Sequence, residues 1–276
     1  SGSRSVLLSA RRMPKPAANI AASPIFGAPL TGMGALIKAT QEAVEKLGGT
    51  VRLNSHVSSI EPTASNGKYS VHFTANGTSE ALSASHVVVC SPAKHSADFF
   101  SESAPQVAQI LAQSSHASVV MVALAVPKES LPQNASGSGY LVPKPEQRFI
   151  TAVSFASQKW AHLNTTDSAI LRVSLGRDAM PLHEHSDDEL TSFVLADIKR
   201  HLLVDLEPTA LRITRWKESF PQYRPHHVEH VEHIEKHLAE KMPQVHLAGA
   251  SFRGIGVPSC VQQGVATAQK IIASFA

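Results

Sequence analysis

From Gly32 onward, apolar residues recur at three- and four-residue intervals: Leu36, Ile37, Ala39, Ala43, Val44 and Leu47. That spacing predicts an amphipathic helix, opened at Gly32 and Gly34 and stopped by Gly48-Gly49. The period then falls to two. Val51, Leu53 and Ser55 alternate with Arg52, Asn54 and His56, which predicts a strand over 50–57. Segments 58–61 and 69–74 flank the turn Ser65-Asn66-Gly67 and predict a hairpin, with Asn76-Gly77 as a second turn. His86-Val87-Val88-Val89-Cys90 is a continuous apolar run closed by Ser91-Pro92. A run without alternation suits a strand buried on both faces of a parallel sheet, and Pro92 lacks the N–H that would continue it.

The character changes after Lys94. A short helix is predicted over 107–111 and strands over 117–126, 140–143, 149–155, 169–175 and 208–216. A helix from Leu190 to about Leu203 carries Asp187-Asp188-Glu189 at its positive end. A further helix buries the stripe Val231, Ile234 and Leu238. Near the end, 245–248 reads as a buried strand that breaks at Gly249. A turn with Gly254 and Gly256 leads into a helix over 260–275 with small residues Gly264, Ala266 and Ala268 near its start. The expected architecture mixes α/β and α+β. A Pro-, Ala- and Ser-rich lead-in covers 1–30. A sheet-and-helix domain is assembled from 31–100 and 240–276, and a mixed-sheet domain over 101–239 is inserted into it.

At 276 residues, 43% hydrophobic and 17% charged, the chain has ample material for a core. A net charge of +3, with no Lys/Arg run, argues against nucleic acid as a partner. Cys90 and Cys260 lie far apart, neither in a CxxC, which excludes zinc-ribbon and dithiol readings and suits reduced thiols in the cytoplasm. No apolar run approaches the roughly 18 to 20 residues of a membrane helix. Arg4, Arg11 and Arg12 precede Pro14 and Pro16 rather than an apolar core, so no secretory signal is read. The chain opens at Ser1 without Met, which raises the expectation of a C-terminal portion of something longer.

Several stretches invite a chemical reading. His226, His230, His233 and His237 share one helix face, but Glu229, Glu232 and Glu235 sit among them and no HExxH occurs, so a solvated face is the better account than a metal site. His183-Glu184-His185 reads as exposed loop. Ser136-Gly137-Ser138-Gly139 resembles a nucleophile elbow only superficially, because an elbow needs a helix after it and Leu141 and Val142 announce a strand. Cys260 at a helix start lacks an adjacent base, which favours packing over nucleophilic chemistry. No GxGxxG follows a strand and no Walker A occurs. The closing strand, glycine turn and helix could dock a cofactor, with glycines permitting close approach and the helix start offering N–H groups. An ordinary β-turn-α unit is the competing account.

The tail Gly249-Ala250-Ser251-Phe252-Arg253-Gly254-Ile255-Gly256-Val257-Pro258-Ser259-Cys260, with Gln263-Gly264 and Ala266, resembles the C-terminal FAD signature of the protoporphyrinogen/coproporphyrinogen oxidases of haem biosynthesis, within the flavin amine oxidase superfamily. Further resemblances follow in the family's order. They are Gly32-Met33-Gly34-Ala35-Leu36, Val51-Arg52-Leu53-Asn54 with Val57, Val87-Val88-Val89-Cys90-Ser91-Pro92-Ala93 and Gly139-Tyr140-Leu141-Val142-Pro143. Ser157-Gln158-Lys159-Trp160, Leu171-Arg172-Val173-Ser174-Leu175-Gly176, and Arg215-Trp216 with Phe220-Pro221-Gln222-Tyr223 complete the set, so the likeness runs from about residue 30 to the end.

The resemblance implies that the split domain is a partial FAD-binding, Rossmann-like domain and the insert a substrate-binding domain. It places the backbone of Val57 at the adenine side of FAD, and Ala250, Ile255, Gly256 and Val257 along the isoalloxazine and ribityl end. Ser138, Leu141, Ser154 and Ser174 match positions that flank the tetrapyrrole. The implied reaction removes six electrons and six hydrogens from coproporphyrinogen III or protoporphyrinogen IX in two-electron steps, hydride leaving a meso carbon for the flavin and oxygen reoxidising it. No metal and no general base are implied. Peripheral membrane contact and a homodimer are expectations from the family. The departures are specific: the glycine fingerprint for the FAD diphosphate, the helical membrane-facing domain and an arginine expected to hold a propionate have no counterpart in this sequence, and His226-His227 stands where relatives carry Gly-His. A flavin oxidase acting on an amine, and a non-catalytic interaction module without the diphosphate loop, are the alternatives.

Overall fold

A computed structural model describes residues 27–275, apart from 65–67 and 133–134, so the turn expected at Ser65-Asn66-Gly67 and most of the 1–30 lead-in lie outside the described residues. Two compact units emerge, one ending at Leu53 and one beginning at Asn54. In the first, helix α1 (Gly34–Lys46) forms as its periodicity predicts and stops where Gly48 adopts φ +87°. None of its side chains is buried. Residues 50–54, expected to be the first part of a strand, lie before it: Asn54 enters the left-handed region at φ 51° and β1 begins at Ser55.

The second unit opens with the expected meander, β1 (Ser55–Pro62), β2 (Tyr69–Ala75) and β3 (Thr78–Ala84), paired antiparallel in that order. Next comes β4 (Val87–Val89), a three-residue strand whose partner, β10 (Val245–Leu247), lies at the far end of the chain; the two pair in parallel with Val88 opposite His246. The uninterrupted valines predicted the parallel pairing, but the expected burial on both faces is not met: Val89 is buried while Val88 is 40% exposed, because the sheet has only these two strands among the described residues.

Between them runs a five-stranded antiparallel sheet in the order β6 (Gly139–Leu141), β7 (Ile150–Phe155), β8 (Ser168–Leu175), β5 (His116–Pro127), β9 (Ala210–Pro221). Central strand β5 alternates strictly. Val120, Val122, Leu124 and Val126 are buried, facing a core shared with Leu171, Val173 and the apolar side of helix α3 (Asp187–Leu202). Val119, Met121 and Ala123 therefore face the opposite side. Strand β9 continues past Trp216 to Pro221 because β5, after an irregularity at Ala117/Val119, offers Ala117 and His116 as further partners. Helix α3 starts at a complete capping box between Ser186 and Glu189. Buried Asp197 accepts both the Phe149 and Ile150 N–H groups at 3.0 Å, which fastens α3 to the start of β7.

A second core gathers around Phe100. It joins helix α2 (Pro105–Ala112) and helix α4 (His227–Lys241), which buries Val231, Ile234 and Leu238 as its stripe predicts, with β1, β2, β4, β10 and Phe252. The closing helix α5 (Val257–Ala273) begins earlier than expected because Pro258 fits the first helical turn, where no N–H is required. None of its residues is buried. Among the described residues no helix is long and apolar enough to cross a membrane.

Candidate cofactor and substrate site

The site is built where β10 runs out. The Ala248 N–H still bonds the Val89 carbonyl, then Gly249 turns at φ +112° and its N–H reaches the Gln263 side chain at 3.2 Å. A Cβ at Gly249 would lie 3.2 Å from the Cys90 carbonyl, so the two strand ends close against each other only with glycine there. Ser251 accepts the Ala93 N–H at 3.0 Å and contacts His116, whose pKa is lowered mainly by burial. Tyr223 then ties the turn down. Its hydroxyl donates to the Ala250 carbonyl at 2.7 Å and accepts the Gly254 N–H at 2.8 Å. Its ring stacks on His227 at 3.7 Å, and His227 in turn donates to the Phe252 carbonyl at 2.7 Å. Burial raises the Tyr223 pKa, so the phenol stays protonated and able to donate. Helix α5 starts just beyond, with Gly256 at its N-cap, no side-chain cap and no acidic residue in its first turn.

The second half of the site is the uncovered face of the five-stranded sheet. Strand register fixes two rows of side chains across it. One row runs Leu141, Ala152, Ser174, Met121, Thr214; the next runs Gly139, Ser154, Arg172, Ala123, Arg212. A cavity of about 900 Å³ lies over this face, with Val119, Met121, Trp216 and Phe220 forming its apolar wall. Ala250 and Ile255 of the turn line the same cavity. They enter at the Phe220 end, because Ala250 is bonded to Tyr223, which follows directly on β9. A groove of about 430 Å³ adjoins it, sharing Met121, Arg172 and Ser174.

Every residue expected at the site can now be located. Ser138, Leu141, Ser154 and Ser174 line the adjoining groove together, and Ser154 donates to the Ser138 carbonyl at 3.3 Å. Leu141 stands 82% exposed, available as an apolar surface. Ser174, Ala250 and Ile255 meet at the larger cavity. Gly256 and Val257 stay exposed at the start of α5, outside that cavity wall, and Val57 lies on β1 next to a bulge, opposite Phe73. His183, expected to be exposed, is only 14% accessible, because the loop folds back and Arg215 donates to its carbonyl.

Sequence reasoning missed the cations. Lys144, Arg172, Arg177 and Arg212 all line the cavity, against a single carboxylate, Asp178. Asp178 pairs with Arg224 at 2.7 Å, which holds its pKa below the usual range and keeps it charged. The signal was available: Arg172 and Ser174 are two apart on one strand, as are Arg212, Thr214 and Trp216, so placing Ser174 at the site placed Arg172 beside it.

The chain belongs to the family described as flavin containing amine oxidoreductases, whose model matches residues 8–272. It is 33% identical over 186 residues to the coproporphyrinogen III oxidase of Bacillus subtilis (strain 168), covering 67% of this chain and 39% of that one. The coproporphyrinogen III oxidase of Staphylococcus aureus (strain NCTC 8325 / PS 47) is 26% identical over 245 residues, 88% of this chain and 51% of the other. A solved structure from Exiguobacterium sp. 255-15, provisionally named a protoporphyrinogen oxidase, shares the fold with a TM-score of 0.75 at 24% identity, over 88% of this chain and 51% of that chain. The chain thus spans about half the length, or less, of the curated relatives it matches.

Proposed function

We propose that this chain forms the flavin-ring and substrate end of an FAD-dependent porphyrinogen oxidase. One observation carries the reading: a single cavity has Ala250 and Ile255 in its wall at one end and a broad apolar sheet face, rimmed by cations, along its length. A flat, largely apolar macrocycle with carboxylate arms suits such a slot, whose volume falls in the usual ligand-pocket range. The relatives at 33% and 26% identity carry the name of coproporphyrinogen III oxidase. Oxidation of an amine fits poorly, because four cations against one paired carboxylate would repel an ammonium substrate.

The residues present suit one end of the cofactor. The uncapped first turn of α5, free of acidic side chains, offers N–H groups and a positive potential to an electron-rich ring, and Gly256 at its start is exposed. The sequence holds no glycine-rich diphosphate loop, so the grip on the other end has to come from additional polypeptide, joined or separate. Bound FAD would supply the two-electron oxidant, with oxygen as the final acceptor and three turns per porphyrin. The chain's own contribution is positional. Tyr223 fixes the turn that presents Ala250 and Ile255, Val119, Met121 and Trp216 exclude water from one face of the substrate, and the cations orient its carboxylates. Asp178, held charged by Arg224, is unsuited to donating a proton.

The test is porphyrin formation. The chain is supplied with FAD and the glycine-rich half of the S. aureus relative, given coproporphyrinogen III in air, and followed by porphyrin fluorescence and peroxide release. FAD-dependent porphyrin with three peroxides per molecule is expected. No rate above the flavin-only background would overturn the reading. The chain alone should bind FAD more weakly than micromolar; sub-micromolar binding would remove the need for a second polypeptide.

A further inference from the structure

The cations of the cavity fall into two groups, and strand register separates them. Arg172 on β8 and Arg212 on β9 both pair with Ala123 of β5, so they flank one small residue in a single row. Adjacent strands lie about 4.8 Å apart, which sets the two arginine Cα atoms about 10 Å from each other across an alanine floor. Neither arginine has a hydrogen-bond or ion-pair partner among the described residues, and both are exposed to the cavity. The second group is Lys144 with Arg177, both close enough to Asp178 to lower its pKa; that carboxylate is already paired with Arg224 at 2.7 Å, which leaves the group net cationic. Arg177 follows Gly176, where a Cβ would lie 3.4 Å from the Ser118 carbonyl. Ser118 and Ala123 are five positions apart on β5, or about 16 Å. The Arg177 Nε is buried with no hydrogen-bond partner among the described residues, a donor left without an acceptor there.

We infer that the two groups grip carboxylates on opposite edges of one macrocycle, so that the site selects a tetrapyrrole with a carboxylate on every ring. This rests on the porphyrinogen reading above and sharpens it. Coproporphyrinogen III carries four propionates and presents carboxylates at both ends of the cavity. Protoporphyrinogen IX carries two, on one side, with vinyl groups opposite, and can satisfy only one cation group at a time. An arginine's planar fork matches a carboxylate with two N–H bonds, and two like charges facing one slot gain most when an anion lies between them. Arg172 and Arg212 are accordingly specificity-determining, and they act at the end of the cavity remote from Ala250 and Ile255.

The stable oxidised macrocycles test this by binding alone. Coproporphyrin III and protoporphyrin IX are titrated against the full chain and against R172Q/R212Q and R172K/R212K, with porphyrin fluorescence as the readout and thermal unfolding as the check on folding. The parent should bind coproporphyrin at least about tenfold more tightly at low salt, from about fivefold or more per added charge contact. The R172Q/R212Q variant should bring the two porphyrins to within about twofold, mostly by weakening coproporphyrin, while protoporphyrin turns to the Lys144 end. The lysine pair should restore part of the preference. An undiminished preference in R172Q/R212Q, or equal binding of both porphyrins by the parent, overturns the inference and leaves the porphyrinogen reading standing. If neither porphyrin binds the parent, both readings are overturned.

Discussion

Replacing Tyr223 with Phe removes one oxygen and should loosen the turn that presents Ala250 and Ile255. That oxygen makes two bonds, donating to the Ala250 carbonyl at 2.7 Å and accepting the Gly254 N–H at 2.8 Å. A net intramolecular hydrogen bond contributes about 0.5–1.5 kcal/mol, and a deserted buried partner costs more. Tyr223 is 38% exposed, so water reaches part of the vacated space and the sum should stay near 1–2 kcal/mol. The stack on His227 at 3.7 Å survives in Phe, which isolates the hydroxyl. Hydrogen exchange reads the effect where it arises. In the parent the Gly254 amide opens only when the tyrosine bond breaks. In Y223F it should exchange about tenfold faster, while amides of β5 and β8 in the distant sheet keep their protection. Urea unfolding should show the same loss as a lower midpoint at unchanged slope. Equal Gly254 exchange in both proteins would refute the argument that the tyrosine hydroxyl holds the turn.

Three other perturbations follow from the same structure. Asp197→Ala strands the Phe149 and Ile150 N–H groups and should cost about 3 kcal/mol in urea unfolding, whereas Asp197→Asn, which keeps an acceptor, should cost about 1; equal losses would show that charge, not acceptance, matters there. Gly254→Ala meets the Ser259 side chain at 2.7 Å and a φ of +130°, and should cost about 2 kcal/mol or more, while Gly264→Ala, with open space around it in α5, should gain about 0.5–1. The pKa values of His116, His201 and His246 are all lowered, chiefly by burial, from an ordinary value of 6.5. The unfolded chain therefore binds more protons just below that value, and stability is full above about pH 6.5 and declines as pH falls through the lowered values. A urea midpoint unchanged between pH 7.5 and 5.5 would contradict this. The lowered carboxylates act only further down, since their ordinary values are 3.8 and 4.5.

Much of this was legible because the chain states it locally. The run at Val87–Val89 announces a parallel strand without naming its partner, and the partner proves to be another short apolar run, Val245–Leu247, though Val88 stays exposed rather than covered. The strict alternation of β5 announces two faces of a sheet, one packed on α3 and one lining the large cavity. What was not legible depends on pairing. Residues 50–54 alternate like a strand, but the chain turns at Asn54, φ 51°, and the strand begins only at Ser55. The extension of β9 to Pro221 exists because β5 is long enough to carry it. The cation rim needed the register of four strands before Arg172 and Arg212 could be seen as neighbours across Ala123.

The glycines of the tail gain a different meaning once their surroundings are known. Read along the chain, Gly249, Gly254 and Gly256 all suggest backbone cleared for a ligand. In the fold, Gly249 is required by the Cys90 carbonyl and Gly254 by the Ser259 side chain, both contacts inside the chain itself. Only Gly256 is free of such a close approach, its notional Cβ meeting Pro258 at an ordinary 3.8 Å, and it sits at the uncapped start of α5. The case for a cofactor here therefore rests less on glycine spacing than on what those glycines make possible. They allow β10 to close against β4 and the turn to be pinned by Tyr223, so that two residues, Ala250 and Ile255, line the cavity in a fixed relation to the sheet, with the bare helix end following directly on Ile255. Placing a flavin ring against a substrate demands that fixity more than it demands space.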